Sequence, residues 1–188
     1  MATVAIPAWN ASGLLPPINL NDPTSPARSP YPVSLSEFTL RFGTSAKRQQ
    51  ILHGFLQYRR RLHAAGLTTG FQWLDGSFME NVEATETRDP KDIDVVTFYT
   101  LPVNITQQQI QATTPDLFNH GILKATYFVD AFVVSLGSRA AILVQQSAYW
   151  YGVWSHRRDS TWKGYLQVDL DPVEDALAAL NLRAGGTP

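Results

Sequence analysis

The 188-residue chain is predicted to fold as an α/β (α+β) domain: a mixed β-sheet with flanking helices and a proline-rich N-terminal arm. Three observations predict it. Segments of strand-like composition alternate with segments of helical periodicity, which calls for a sheet covered by helices. Apolar residues make up 44% and charged residues 16%, a balance that builds a core and is the reverse of a disordered chain. Seven of the twelve prolines fall within residues 1–33, where fixed φ and missing N–H donors exclude helix and sheet interior.

The elements follow in order. The arm, residues 1–33, carries Ile6, Trp9, Leu14, Leu15 and Ile18, for which a free tail has no use, so it is expected to pack on the domain. Ser34-Leu35-Ser36-Glu37 has capping-box spacing and starts a short helix toward Phe42, ended by Gly43. Ser45 caps a longer helix, about 46–65, with Ile51, Leu52, Phe55, Tyr58 and Leu62 on one face. Gly66 stands where a C-terminal glycine belongs. Lys47, Arg48, Arg59, Arg60 and Arg61 fall mostly elsewhere and read as a solvated side. Phe71-Gln72-Trp73-Leu74 is a strand running into Asp75-Gly76-Ser77. Further strands are expected over residues 92–99, 125–136 and 163–170. Thr106-x-x-Gln109 opens a helix that Pro115 interrupts or restarts, and Ser138 caps another to about Trp150. Asp171-Pro172-x-Glu174 starts the last helix with cap, N1 proline and N3 glutamate in order. The domain is thus expected over 34–183, with 184–188 a frayed tail.

Composition narrows the chemistry. A net charge of −1 leaves no global field for nucleic acid, so phosphate binding would need a local site. Without cysteine there are no disulfides, cysteine zinc sites or thiol catalysis. His53, His63, His120 and His156 show no metalloprotease spacing. No apolar run is long enough to span a membrane, and Met1–Pro7 lacks a signal-peptide pattern, so a cytoplasmic protein is expected.

Asp92 and Asp94 stand out. Residues i and i+2 of a strand share a face, and two carboxylates on an otherwise apolar strand repel unless a cation joins them. Oxygen ligands of this kind suit Mg²⁺. The other reading is a strand end, with Asp92 capping a turn and Asp94 solvated. Asp130 lies inside the apolar run Phe128–Val134. On a strand beside Asp94 it would complete a three-carboxylate set able to hold two Mg²⁺ ions. Otherwise it is a buried aspartate satisfied by backbone or arginine. Strand parity puts it on one face with Phe128 and Phe132, opposite Val129, Ala131 and Val133. Gly76-Ser77, between a strand and an expected helical turn, can cradle a phosphate or simply turn the chain. Lys163, with His156, Arg157 and Arg158, either meets phosphates or sits in a solvated loop. The aromatic stretch Tyr149–Trp154 reads as core or as a base-stacking surface. Glu80, Glu83 and Glu86 read as a solvated loop.

Gly76-Ser77, then Asp92-Ile93-Asp94, then a third aspartate in a later strand resembles the DNA-polymerase-β-like nucleotidyltransferase superfamily. Trp73–Phe78, Asp89–Val96 and Val129–Phe132 are similar to a bacterial and phage nucleotidyltransferase-like group of unknown function, and Leu14–Pro17 and Lys163-Gly164 also look like it. The fourteen residues between Ser77 and Asp92 exceed the superfamily's usual spacing, which a longer surface loop accounts for. The resemblance implies a Mg²⁺-dependent transfer of a nucleoside monophosphate from an NTP to a hydroxyl acceptor: a protein such as a toxin, an RNA or a small molecule. Asp92, Asp94 and Asp130 would be the catalytic and metal-binding acids, and Gly76, Ser77 and Lys163 would bind nucleotide. The alternatives are a non-catalytic nucleotide- or protein-binding module, such as an antitoxin-like partner of a toxin, and a metal-dependent nuclease. The Gly-Ser cradle favours a triphosphate over the nuclease.

Overall fold

The computed structural model describes residues 3–184. In chain order the elements are β1 (Tyr31–Pro32), α1 (Leu35–Phe42), α2 (Ala46–Ala64), β2 (Gly70–Asp75), α3 (Val82–Thr85), β3 (Ile93–Tyr99), α4 (Gln107–Thr113), α5 (His120–Tyr127), β4 (Val129–Ser135), α6 (Ala140–Trp154), β5 (Leu166–Asp169) and α7 (Asp175–Ala184). The strands form one five-stranded mixed sheet in the order β1-β5-β2-β3-β4. β2 runs antiparallel to β3 and β5, while β3 and β4 are parallel, joined by the α4–α5 crossover. The fold is α+β.

Local signals explain most starts. Ser34 Oγ accepts from the Glu37 N–H at 3.0 Å and Ser45 Oγ from Arg48 at 3.2 Å, each satisfying an orphan donor of the first turn. Thr106 and Gln109 close a reciprocal capping box on α4. α6 begins differently: its cap position is Arg139, with no side-chain hydrogen bond from Ser138.

The sheet separates two cores. One face carries Leu74, Ile93, Val95, Val129, Ala131 and Val168, packed against α1, α2, α5 and α7 through Phe38, Phe42, Ile51, Phe55 and Leu182. The other carries Trp73, Val96, Phe98 and Val134, covered by Trp150 and Trp154 of α6 and by Tyr165. The arm joins the first core: Leu14 and Leu15 are buried, the Trp9 indole N–H donates to the Met79 carbonyl at 2.7 Å, and the Gly164 N–H donates to the Leu15 carbonyl at 2.7 Å.

Several expectations need correction. The strand expected from Ala125 begins only at Val129, because His120–Tyr127 is helix α5, ended by Phe128 in the left-handed region (φ 56°). Phe128 therefore does not share Asp130's face; it packs toward the first core, with Lys47 Nζ 4.5 Å from its ring centroid. The last strand is shorter than 163–170. Arg183 and Ala184 belong to α7, so the frayed tail is not seen at Ala184; the rest of it lies outside the described residues. The basic side of α2 is only partly solvated. Arg48 and Arg59 are fully buried. Arg48 donates to the Phe78 carbonyl (2.7 Å), the Glu80 carbonyl (2.5 Å) and Glu83, and Arg59 binds Gln72, Asp175 and the Asp169 and Asp171 carbonyls. Sequence periodicity could not separate a surface arginine from one that ties loops to the helix from below. No helix among the described residues is long and apolar enough to cross a membrane.

Candidate functional site

β2 ends where β3 and β4 begin. The register pairs Asp75 with Asp94 and Asp94 with Asp130, so three aspartates stand in one row across three adjacent strands. Asp92, two residues before Asp94, shares their face. Behind this row the same face turns apolar: Trp73, Val96 and Phe132, then Phe71, Phe98 and Val134. The acids thus line one end of the sheet, in a cavity of about 750 Å³ whose walls include Gly76, Ser77, Glu80, Lys91, Lys124, Arg157, Arg158 and Lys163. Gly76, Ser77, Asp92, Asp94, Asp130 and Lys163, separated by up to 87 positions (163 − 76), all line this cavity. A second cavity, about 530 Å³ and near the opposite end of β2, has Gly70, Phe71, Val173 and Glu174 in its walls and no basic side chain among its described lining. It offers nothing to balance a phosphate.

Each acid has a different partner. Lys124, in the last turn of α5, places Nζ 2.9 Å from Asp92 Oδ2 and 3.0 Å from Asp130 Oδ2. Its two hydrogen-bonded acids hold the ammonium above the ordinary lysine range, Asp92 first. α5 is seated close on α2: a Cβ on Gly54 would stand 2.0 Å from the Tyr127 carbonyl oxygen, so only glycine permits the approach that brings Lys124 over the acids. His120 Nδ1 lies 3.5 Å from Asp130 Oδ1. Lys163 is buried, its Nζ 2.9 Å from Asp75 Oδ1 and 3.2 Å from Glu80 Oε1. Burial works against the Lys163 charge, but the two acids outweigh it and hold the ammonium above its usual range. One lysine does not fully serve two acids, and burial pushes Asp75 up to about 6 despite the pairing.

Asp94 sits between these pairs and has neither lysine. Its carboxylate makes no hydrogen bond or ion pair with any described residue; burial first, and then the charges of Asp75, Asp92 and Asp130, push it up to about 7 against the pull of the Lys163 charge. Gly76 (φ 86°) lies directly against it: a Cβ there would meet Asp94 Oδ2 at 2.8 Å and Cγ at 2.9 Å. The following turn is a short 3₁₀ segment, Ser77–Met79, rather than the expected helical turn. Arg48 anchors it from below through the Phe78 and Glu80 carbonyls.

Five residues escape sequence reasoning: Asp75, which looks like a plain strand end; Glu80 and Glu83, which look like solvated loop; and Lys124 and His120, which no local pattern marks. Glu80 is instead buried with Lys163, and Glu83 pairs with Arg48. Asp75 precedes Gly76 by one residue, and an acid ending an apolar strand beside that glycine was the available signal. Lys163 is not in a solvated loop. The aromatic stretch divides: Trp150 and Trp154 are core, while Tyr149, Tyr151 and Val153 are exposed. Arg157 pairs with Glu86 and lies 3.5 Å from Glu80, whereas Arg158 and Lys91 are exposed at the cavity.

Among the described residues, no three His, Asp or Glu side chains already form a metal cage; the ammonium of Lys124 stands between two of the acids. No curated protein matches the chain, and no solved structure does. Residues 7–169 match a family of unknown function (DUF6932), and the chain belongs to that family.

Proposed function

Because membership of this family brings no activity with it, we propose a function from the site itself: a Mg²⁺-dependent nucleotidyltransferase that moves a nucleoside monophosphate from an NTP to a hydroxyl acceptor. The supporting observation is the row Asp75–Asp94–Asp130, with Asp92 beside it, in which Asp94 is charged only at a cost and has no cation of its own. Hard carboxylate oxygens suit Mg²⁺, and an unpartnered, half-buried acid among three others is the donor set such an ion stabilises. Asp92, Asp94 and Asp130 are the residues that would hold it, as one or two ions, supplying charge neutralisation at the phosphates and a lower pKa at the acceptor hydroxyl.

The chain's own groups do the rest. Gly76 lets a phosphate oxygen approach the backbone, and the Ser77 hydroxyl donates to it. Lys163 has three N–H donors and two acids, which leaves one donor for a phosphate. Lys91 and Arg158 supply exposed positive charge for the leaving pyrophosphate. The acceptor oxygen forms a bond to the α-phosphorus as the bond from that phosphorus to the β-bridging oxygen breaks, and Asp130 takes the acceptor's proton. The acceptor is a hydroxyl of a protein, an RNA or a small molecule. The reading includes a cytoplasmic setting, where NTPs and Mg²⁺ abound.

One observation favours a second reading, a nucleotide- or protein-binding module that turns nothing over, such as an antitoxin-like partner of a toxin: Lys124 already bridges two of the acids. Thermal unfolding with NTP, with and without Mg²⁺, followed by assay of labelled pyrophosphate, separates the two. Mg²⁺-dependent protection with pyrophosphate release supports the enzyme. Protection without release, across protein and RNA acceptors, supports the module. Absence of protection by every common NTP overturns the nucleotide in both.

Gly76→Ala is expected to weaken NTP by at least about tenfold and to lower stability by roughly 1–2 kcal/mol, since a Cβ displaces the Asp94 carboxylate and left-handed backbone disfavours alanine. Calorimetric titration with NTP and with nucleoside checks it. Equal loss for both ligands would argue against a phosphate contact at this glycine.

A further inference from the structure

We propose that Lys124 is a removable counter-cation of this site, holding Asp92 and Asp130 together while no metal is bound and withdrawing when a divalent cation takes its place. The inference rests on the metal-site reading above and adds the regulation of that site.

Two lysines serve the acids, and they are built differently. The side chain of Lys163 is 6% exposed, walled in with Asp75 and Glu80, and has nowhere to go. That of Lys124 is 52% exposed, on the last turn of a surface helix, with its ammonium reaching down to two less exposed carboxylates. A flexible, solvated stem costs little to move, and an ion pair with one partner half in water is weak. Its position is nonetheless specific. One Nζ lies within 3.0 Å of an oxygen from each of two acids on neighbouring strands, so it stands between the groups that a shared cation would join. His120, on the first turn of the same helix, faces Asp130 from 3.5 Å. Asp94, two residues after Asp92 on β3, is left without a cation.

The arrangement makes metal loading an exchange rather than an addition. A divalent ion approaching Asp94 from the cavity meets the Lys124 ammonium across two of its ligands, and Coulomb repulsion opposes it until that ammonium leaves. Once released, Lys124 remains on the cavity wall, where an NTP's phosphates would accept its donors. Nucleotide and metal would then favour each other: the phosphates draw off the ammonium, and the ion takes the vacated carboxylates.

The test is titration of the full metal-free chain with Mn²⁺, followed by the electron paramagnetic resonance signal of free Mn²⁺, for the wild type, Lys124→Met and Lys124→Met/Asp94→Asn. Methionine keeps the stem's bulk and removes the charge. Lys124→Met is expected to bind Mn²⁺ at least about tenfold more tightly than wild type. Without metal it should melt lower at neutral pH, and saturating Mn²⁺ should erase that difference. The double variant should lose the gain. Equal or weaker binding by Lys124→Met overturns the counter-cation role and leaves the metal site standing. Binding by neither protein overturns both.

Discussion

Asp94→Asn is expected to lower Mg²⁺-dependent nucleotide turnover by at least about a hundredfold while making the metal-free protein more stable at pH 8. The two effects share one cause. Asp94 is pushed up to about 7 by burial and by Asp75, Asp92 and Asp130, whereas an unfolded aspartate titrates near 3.9. Between those values the folded protein binds more protons than the unfolded chain, so stability falls as pH rises from about 4 to about 7, and the full penalty is present above that. Asparagine removes the charge and keeps the shape. The variant and wild type should therefore melt together below about pH 4 and diverge toward pH 8, with the variant higher by roughly 5 °C. Differential scanning fluorimetry across that range checks it. A variant that stays active, or gains nothing at pH 8, would remove Asp94 from the centre of the site.

Lys163→Met is expected to cost roughly 3–5 kcal/mol at neutral pH, because it leaves Asp75 buried without its cation and Glu80 with only Arg157 at 3.5 Å. The loss should shrink in acid. Asp75 already titrates at about 6 with the lysine present, and removing the lysine raises it further, so the carboxyl takes up a proton and no longer needs a partner. Urea unfolding at pH 5 and pH 8 measures both limits, and Lys163→Arg, which keeps the charge, should recover most of the difference. A loss independent of pH would mean that the side chain matters for packing and not for charge.

How much of this was legible in the sequence depended on range. Asp92, Asp94 and Asp130 could be singled out because strand alternation is a local rule, and a carboxylate in an apolar run breaks it visibly. The placement of Asp130 on the face of Asp94 follows from the same rule once their strands adjoin. Lys163 could be singled out as a phosphate contact but not matched to its acids, since these are 88 and 83 residues away and only the sheet order brings them in. Asp75 and Glu80 were hidden by chemistry that looks ordinary: an acid at a strand end and an acid in a polar loop. Lys124 was hidden by a boundary. A strand drawn back to Ala125 takes the last three residues of the helix that carries it, because Tyr127 and Phe128 suit a strand as well as a helix end. Arg48 and Arg59 were misread for a similar reason: helical periodicity reports a face, not the depth of what covers it.

β4 forms one margin of the sheet. Its run Val129-Asp130-Ala131-Phe132-Val133-Val134 is uncharged apart from Asp130, the composition that invites pairing with a strand of another molecule. Asp130, tied to Lys124 and His120, sets a charge near the start of that run and binds it back to the chain's own helix. The residue we propose for chemistry in the cavity thus also breaks up an apolar edge. Neutral residues at position 130 would threaten the protein's solubility as much as its site, whether or not the cavity turns anything over.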